Sequence, residues 1–73
     1  MFVLRVTHPN DLDRVCLFLR SVHIHVQTNE DGTITASAPG APTPEHERRE
    51  VSGYVTTWNA LNPASAVALV EVD

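Results

Sequence analysis

The tetrapeptide Asn29-Glu30-Asp31-Gly32, set between two alternating runs, constrains the fold of this chain more than any other feature. Asp-Gly accepts the positive φ that a tight hairpin turn requires. Before it, the run His23 to Thr28 carries Ile24 and Val26 at alternate positions, with His23, His25 and Gln27 between them. After it, the run Thr33 to Ala38 sets Ile34, Ala36 and Ala38 against Thr33, Thr35 and Ser37. A period of two on both sides of a turn reads as an antiparallel hairpin with one apolar and one polar face.

The flanking segments fit around this hairpin. Phe2 to Val6 also alternates, with Phe2, Leu4 and Val6 on one side and Val3 and Arg5 on the other, and predicts a strand. Asn10 is a good helix N-cap, and Asp11 and Asp13 put negative charge in the first turn, where the helix dipole favours it. The helix is expected from about Asp11 to Ser21. Leu12, Val15, Cys16, Leu19 and Val22 form its apolar stripe, which Leu17 and Phe18 widen. Pro39-Gly40-Ala41-Pro42 breaks regular structure. Thr43-Pro44-Glu45 then starts a second helix, with Thr43 as N-cap and Pro44 at the first helical position. Val51, Tyr54, Val55, Trp58 and Leu61 are its core stripe, which puts Tyr54 and Trp58 in the core rather than against a ligand. Glu45, Glu47, Arg48, Arg49 and Glu50 make its start a solvated end, and Gly53 inside it suggests a close backbone approach. Asn62-Pro63 resembles another helix start, yet Val67, Leu69, Val70 and Val72 are strand formers. A strand from about Val67 to Val72 is preferred, with a C-terminal helix as the alternative.

The resulting order, strand-helix-strand-strand-helix-strand, predicts one α+β domain over residues 1–73. Two helices would cover one face of a four-stranded antiparallel sheet on the ferredoxin-like plan. Right-handed crossovers place the first and third strands in the centre and the second and fourth at the edges. The open face would then carry Val3, Arg5, His23, His25, Gln27, Thr33, Thr35 and Ser37. It is polar without being strongly charged, and suits either water or a docking partner.

Composition narrows the function. A chain of 73 residues buries only about 60% of its unfolded surface. Its core supplies roughly 3–5 kcal/mol of net stability, so a second copy is a natural source of more. Homodimerisation through the exposed second and fourth strand edges is expected. The single cysteine, Cys16, cannot form an internal disulfide, falls on an apolar helix face, and fits a reducing compartment as a buried thiol. No apolar run approaches the roughly 18 residues of a membrane span, and the N-terminal segment is not a signal peptide. Both point to the cytoplasm. A net charge of −4 with five scattered basic residues argues against nucleic acid.

No catalytic or cofactor site is expected. Cys16 or a serine can be paired with a histidine on paper, but no orienting third group stands at a predictable place. Pro39-Gly40-Ala41-Pro42 lacks the glycine-rich run and Lys-Ser or Lys-Thr end of a phosphate cradle. His23-Ile24-His25 sets two imidazoles on the same side of a strand. As metal ligands they would need His8, His46 or an acid to complete a zinc site. His-x-His alone is a weak metal signal, and two solvent-facing edge residues are the expected reading. The partner-binding candidates are therefore His23, His25, Gln27, Thr33, Thr35, Ser37 and Arg5.

The stretch from Leu12 to Leu61 resembles the tubulysin-type N-terminal docking domain of nonribosomal peptide synthetase and polyketide subunits. The likeness lies in a leucine-rich helix leading into Val22-His23-Ile24-His25-Val26, the Asp31-Gly32 turn, the Ala38-Pro39 pair, and the Thr43-Pro44-Glu45 helix start. Val22 stands where such domains usually have glycine. The resemblance implies an αββα unit whose hairpin strand, here His23 to Gln27 with its neighbour Thr33 to Ser37, receives a short tail of another subunit by strand addition. The order of elements also resembles an ACT-like regulatory domain. That likeness implies small-ligand binding at a dimer interface, although His8-Pro9-Asn10-Asp11 replaces the usual Asp-x-Pro-Gly turn.

Overall fold

The computed structural model describes residues 2–70. Strand β1 (Phe2–Val6) is followed by helix α1 (Leu12–Ser21), the hairpin strands β2 (His25–Thr28) and β3 (Thr33–Ser37), helix α2 (Pro44–Leu61) and strand β4 (Val67–Val70). Single 3₁₀ turns at Pro9–Asp11 and Pro63–Ser65 precede α1 and β4. The sheet runs β2-β3-β1-β4 and is antiparallel throughout, so β1 and β3 lie in the centre and β2 and β4 at the edges, as the sequence implies. Leu4 faces Ile34 on one side and Leu69 on the other, which puts the apolar positions of three strands in one row. α1 lies against β2, and α2 against β3 and β4.

One core joins these layers. Leu4, Ile34, Val15, Leu19 and Val51 are its largest fully buried side chains. Burial of each such side chain stabilises by about 1.5–3 kcal/mol. Trp58 closes the end beside the Pro63–Ser65 turn. Its indole N–H donates to the Ser65 carbonyl at 2.8 Å. The Phe18 ring lies 5.5 Å away at 55°, and the Arg14 guanidinium sits 5.6 Å from the ring centre, within cation–π range. Asp11 ties the same end together, accepting from Ser65 Oγ at 2.6 Å and from Arg14 at 3.0 Å. At the start of α2, Thr43 Oγ1 accepts from the His46 N–H at 3.1 Å and Pro44 opens the helix, as its sequence predicts.

Several expectations are corrected. Asn10 does not cap α1, because the chain first makes the Pro9–Asp11 turn and Asp11 takes the N-cap position. The Asp11 carboxylate is held by Ser65 and Arg14 rather than by the helix's own N–H groups. Leu17 is 65% exposed: it lies two residues, or about 200°, from both Val15 and Leu19 and so points away from the core they enter. Leu61, 69% exposed, is the last residue of α2, where Trp58 and the Pro63–Ser65 turn already fill the core. A Cβ on Gly53 would meet nothing within 4 Å, so no close approach explains that glycine. Asn62-Pro63 opens only the single 3₁₀ turn before β4, and the alternative C-terminal helix does not form. The Glu71 and Val72 end of the expected last strand lies outside the described residues.

Candidate functional site

The two sheet edges differ. In an antiparallel ladder, alternate residues of an edge strand turn their N–H and C=O outward. On β4, the Thr7 N–H donates to the Ala66 carbonyl, and with the β1–β4 register this turns Val67 and Leu69 outward. The Asn59 side chain, reaching over from α2, takes both outward groups of Val67. Its Oδ1 accepts the Val67 N–H at 2.7 Å and its Nδ2 donates to the Val67 carbonyl at 3.0 Å. A carboxamide thus stands where a further strand would pair.

On β2, the Asn29 N–H donates to the Thr33 carbonyl, which continues the ladder. His25 and Gln27 therefore pair inward with Ser37 and Thr35, and Val26 and Thr28 turn their backbone groups outward. Among the described residues, no side chain does for Val26 and Thr28 what Asn59 does for Val67. Arg20, His23, Ile24, His25 and Val26 line a groove along this edge.

The open face follows from the registers. One row sets Gln27 beside Thr35, Val3 and Val70, and the next sets Thr33 beside Arg5 and Ala68. His25 stands opposite Ser37. Five of the sequence candidates, Arg5, His25, Gln27, Thr35 and Ser37, thus share one surface, and His25, Gln27, Thr35 and Ser37 line a shallow depression on it.

The other two candidates are placed differently. Thr33 projects onto this face but is buried. Its hydroxyl donates to Asp31 Oδ1 at 2.6 Å and accepts from Asn29 Nδ2 at 3.0 Å. Asp31 also accepts the Thr33 N–H, and Asn29 donates to Thr35 Oγ1 as well. The Thr33 hydroxyl and then its N–H, helped by the charge of Arg5, hold the Asp31 carboxyl below its usual range. Thr33 therefore fastens the turn rather than meeting a partner.

His23 is not a strand residue. Its φ is 66°, the left-handed region. Its N–H donates to the Arg20 carbonyl, and the Ile24 N–H donates to the Leu19 carbonyl. This is the Schellman closure of α1, sealed by contact of Ile24 with the helix's apolar side. The position usually takes glycine, and histidine is one of the side chains that tolerates it. The expected His23–His25 pair on one strand face is thus broken by a helix stop. Among the described residues, no group of three or more His, Cys, Asp or Glu side chains is gathered to hold a metal ion.

Cys16 is buried on α1, and desolvation pushes its thiol up, away from the reactive thiolate. Among the described residues, no helix is long and apolar enough to cross a membrane. Family models, curated proteins and solved structures offer no match to this chain.

Proposed function

We propose that this domain is a non-catalytic docking module that takes an extended protein segment onto the β2 edge and contacts it further through the open sheet face. The supporting observation is the asymmetry of the edges. Asn59 occupies the outward groups of Val67 on β4, whereas those of Val26 and Thr28 on β2 stand open beside a groove. Strand addition draws affinity from such backbone groups and selectivity from neighbouring side chains, here His25, Gln27, Thr35, Ser37 and Arg5. The docking-domain resemblance supports the same hairpin as the receiving element. The buried, lone thiol supports work in a reducing compartment such as the cytoplasm.

A peptide-display selection against the immobilised domain tests this reading. Thr28→Pro is the control, because it removes an outward N–H while leaving the β2–β3 ladder intact. Enriched peptides that lose binding to Thr28→Pro are expected. Failure to enrich any peptide, or binders indifferent to the substitution, would refute it.

A second reading has its own observation. A cleft between the start of β2, the 38–40 turn and α2 is floored by Ile24 and Ala38 and rimmed by His25, Glu50 and Tyr54. It supports a small-ligand regulatory role of the ACT-like kind. Calorimetry with amino acids and with zinc or nickel would show heat if that role is real and none if it is not.

A further inference from the structure

We propose that the occupant of the β2 edge is the β2 edge of a second copy of this chain, antiparallel about a twofold axis at Gln27. This rests on the reading of β2 as a strand-addition edge and names the strand. The outward residues, Val26 and Thr28, flank Gln27 symmetrically. With the axis at Gln27, Val26 of one copy meets Thr28 of the other, and the same pairing recurs across the axis. Each pairing exchanges two backbone hydrogen bonds. Shifting the axis to Val26 would instead match Thr28 with Ile24, whose N–H is already given to the Leu19 carbonyl. Of these two registers, the one at Gln27 pairs both outward residues of β2 without drawing on the Schellman closure.

Side-chain chemistry agrees with this register. At the axis two neutral Gln27 carboxamides meet on the open face, with no like charges opposed. Away from the axis the strand is electrically graded. Its beginning carries Arg20 beside Ile24 in the edge groove, with His23 and His25 adding positive charge when protonated. Its end runs into Glu30 and Asp31 in the hairpin turn. Antiparallel pairing sets Ile24 of one copy toward Glu30 of the other, so Arg20 faces an acidic turn twice. A parallel arrangement would put basic ends together and acidic ends together. Self-complementarity of this kind is what an isologous contact requires. On the second sheet edge Asn59 takes the outward groups of Val67, which opposes continued pairing at that position. The product is one continuous eight-stranded sheet, twice the four strands of a single copy.

Sedimentation equilibrium from micromolar to millimolar concentration tests the proposal, with circular dichroism confirming that each variant is folded. The wild-type chain should approach twice its 8.0 kDa mass. Thr28→Pro should abolish the dimer. Arg20→Glu and Glu30→Arg should each raise the dissociation constant about tenfold or more, because each turns two attractive contacts into repulsive ones. The double variant R20E/E30R should restore wild-type association, an outcome that does not depend on the folding of Thr28→Pro.

A mass of 8.0 kDa throughout, or a dimer indifferent to Thr28→Pro and to the charge swap, overturns the self-pairing. The wider reading fails separately. A chain that stays monomeric yet selects peptides sensitive to Thr28→Pro keeps its docking edge and loses only this occupant, while a chain that does neither loses both.

Discussion

Asn59→Ala is the sharpest test of how this small sheet is finished. The carboxamide makes two hydrogen bonds to Val67, at 2.7 and 3.0 Å, in partly buried surroundings. Alanine leaves the Val67 N–H and C=O to water, which reaches this edge imperfectly under α2. At about 1 kcal/mol net for each bond, the loss is about 2 kcal/mol. That is a large share of the roughly 3–5 kcal/mol expected for a core of this size. With a urea slope near the low end for small proteins, about 1 kcal/mol per molar, the unfolding midpoint should fall by about 2 M. Thermal unfolding should come roughly 10 °C lower. Urea titration followed by circular dichroism reads the first and a thermal scan the second. The opened edge should also make the variant more prone to associate through β4. A midpoint within about 0.5 M of wild type would refute the argument, because it would mean that the carboxamide contributes no more than the water replacing it.

Other consequences follow from the same contacts. Leu4→Ala removes a fully buried side chain opposite Ile34 and should cost about 2–5 kcal/mol, enough to leave the domain largely unfolded at 37 °C by circular dichroism. His23→Gly relieves a left-handed residue at the end of α1 and should leave stability unchanged or raise it by up to about 1 kcal/mol in urea unfolding; a loss would show that the imidazole itself supports the fold. Leu17→Glu, on the outer face of α1, should stay within about 0.5 kcal/mol of wild type in the same assay. Acid should unfold the domain in part through Asp11 and Asp31. The Ser65 hydroxyl, with Arg14, lowers the first, and Thr33 lowers the second. Both groups have folded-state pKa values below their unfolded ones, so their stabilisation is complete above the usual carboxylate range and fades as pH falls through the folded values. Asp11→Asn should flatten that acid limb in stability measured from pH 6 to pH 2, and an unchanged slope would refute the linkage.

The local signals of this sequence were strong where the physics is local. Alternation around Asp31-Gly32 determined the hairpin, because a turn needing positive φ and a period of two depend only on neighbours. Thr43-Pro44 determined the start of α2 for the same reason, and alternation in Phe2–Val6 determined β1. Strand order followed from element order and the right-handedness of crossovers.

What only the tertiary structure decided were features made by residues distant in sequence or by a conflict between two local preferences. Asn59 reads as an ordinary exposed helix position until β4 arrives beside α2 and gives its carboxamide a backbone to cap. His23 belongs by pattern to the strand, yet α1 needs a left-handed residue to stop, and the two Schellman bonds outweigh one more strand pairing. Thr33 reads as an open-face residue, but Asp31 and Asn29 close over it. Leu17 and Leu61 look apolar enough for the core, and only the depth of the layers shows that no surface is left for them to cover. The alternating hairpin thus prescribed β2 as a strand, but the capping of Val67 on the opposite edge was settled by one side chain that stands eight residues before it in the chain.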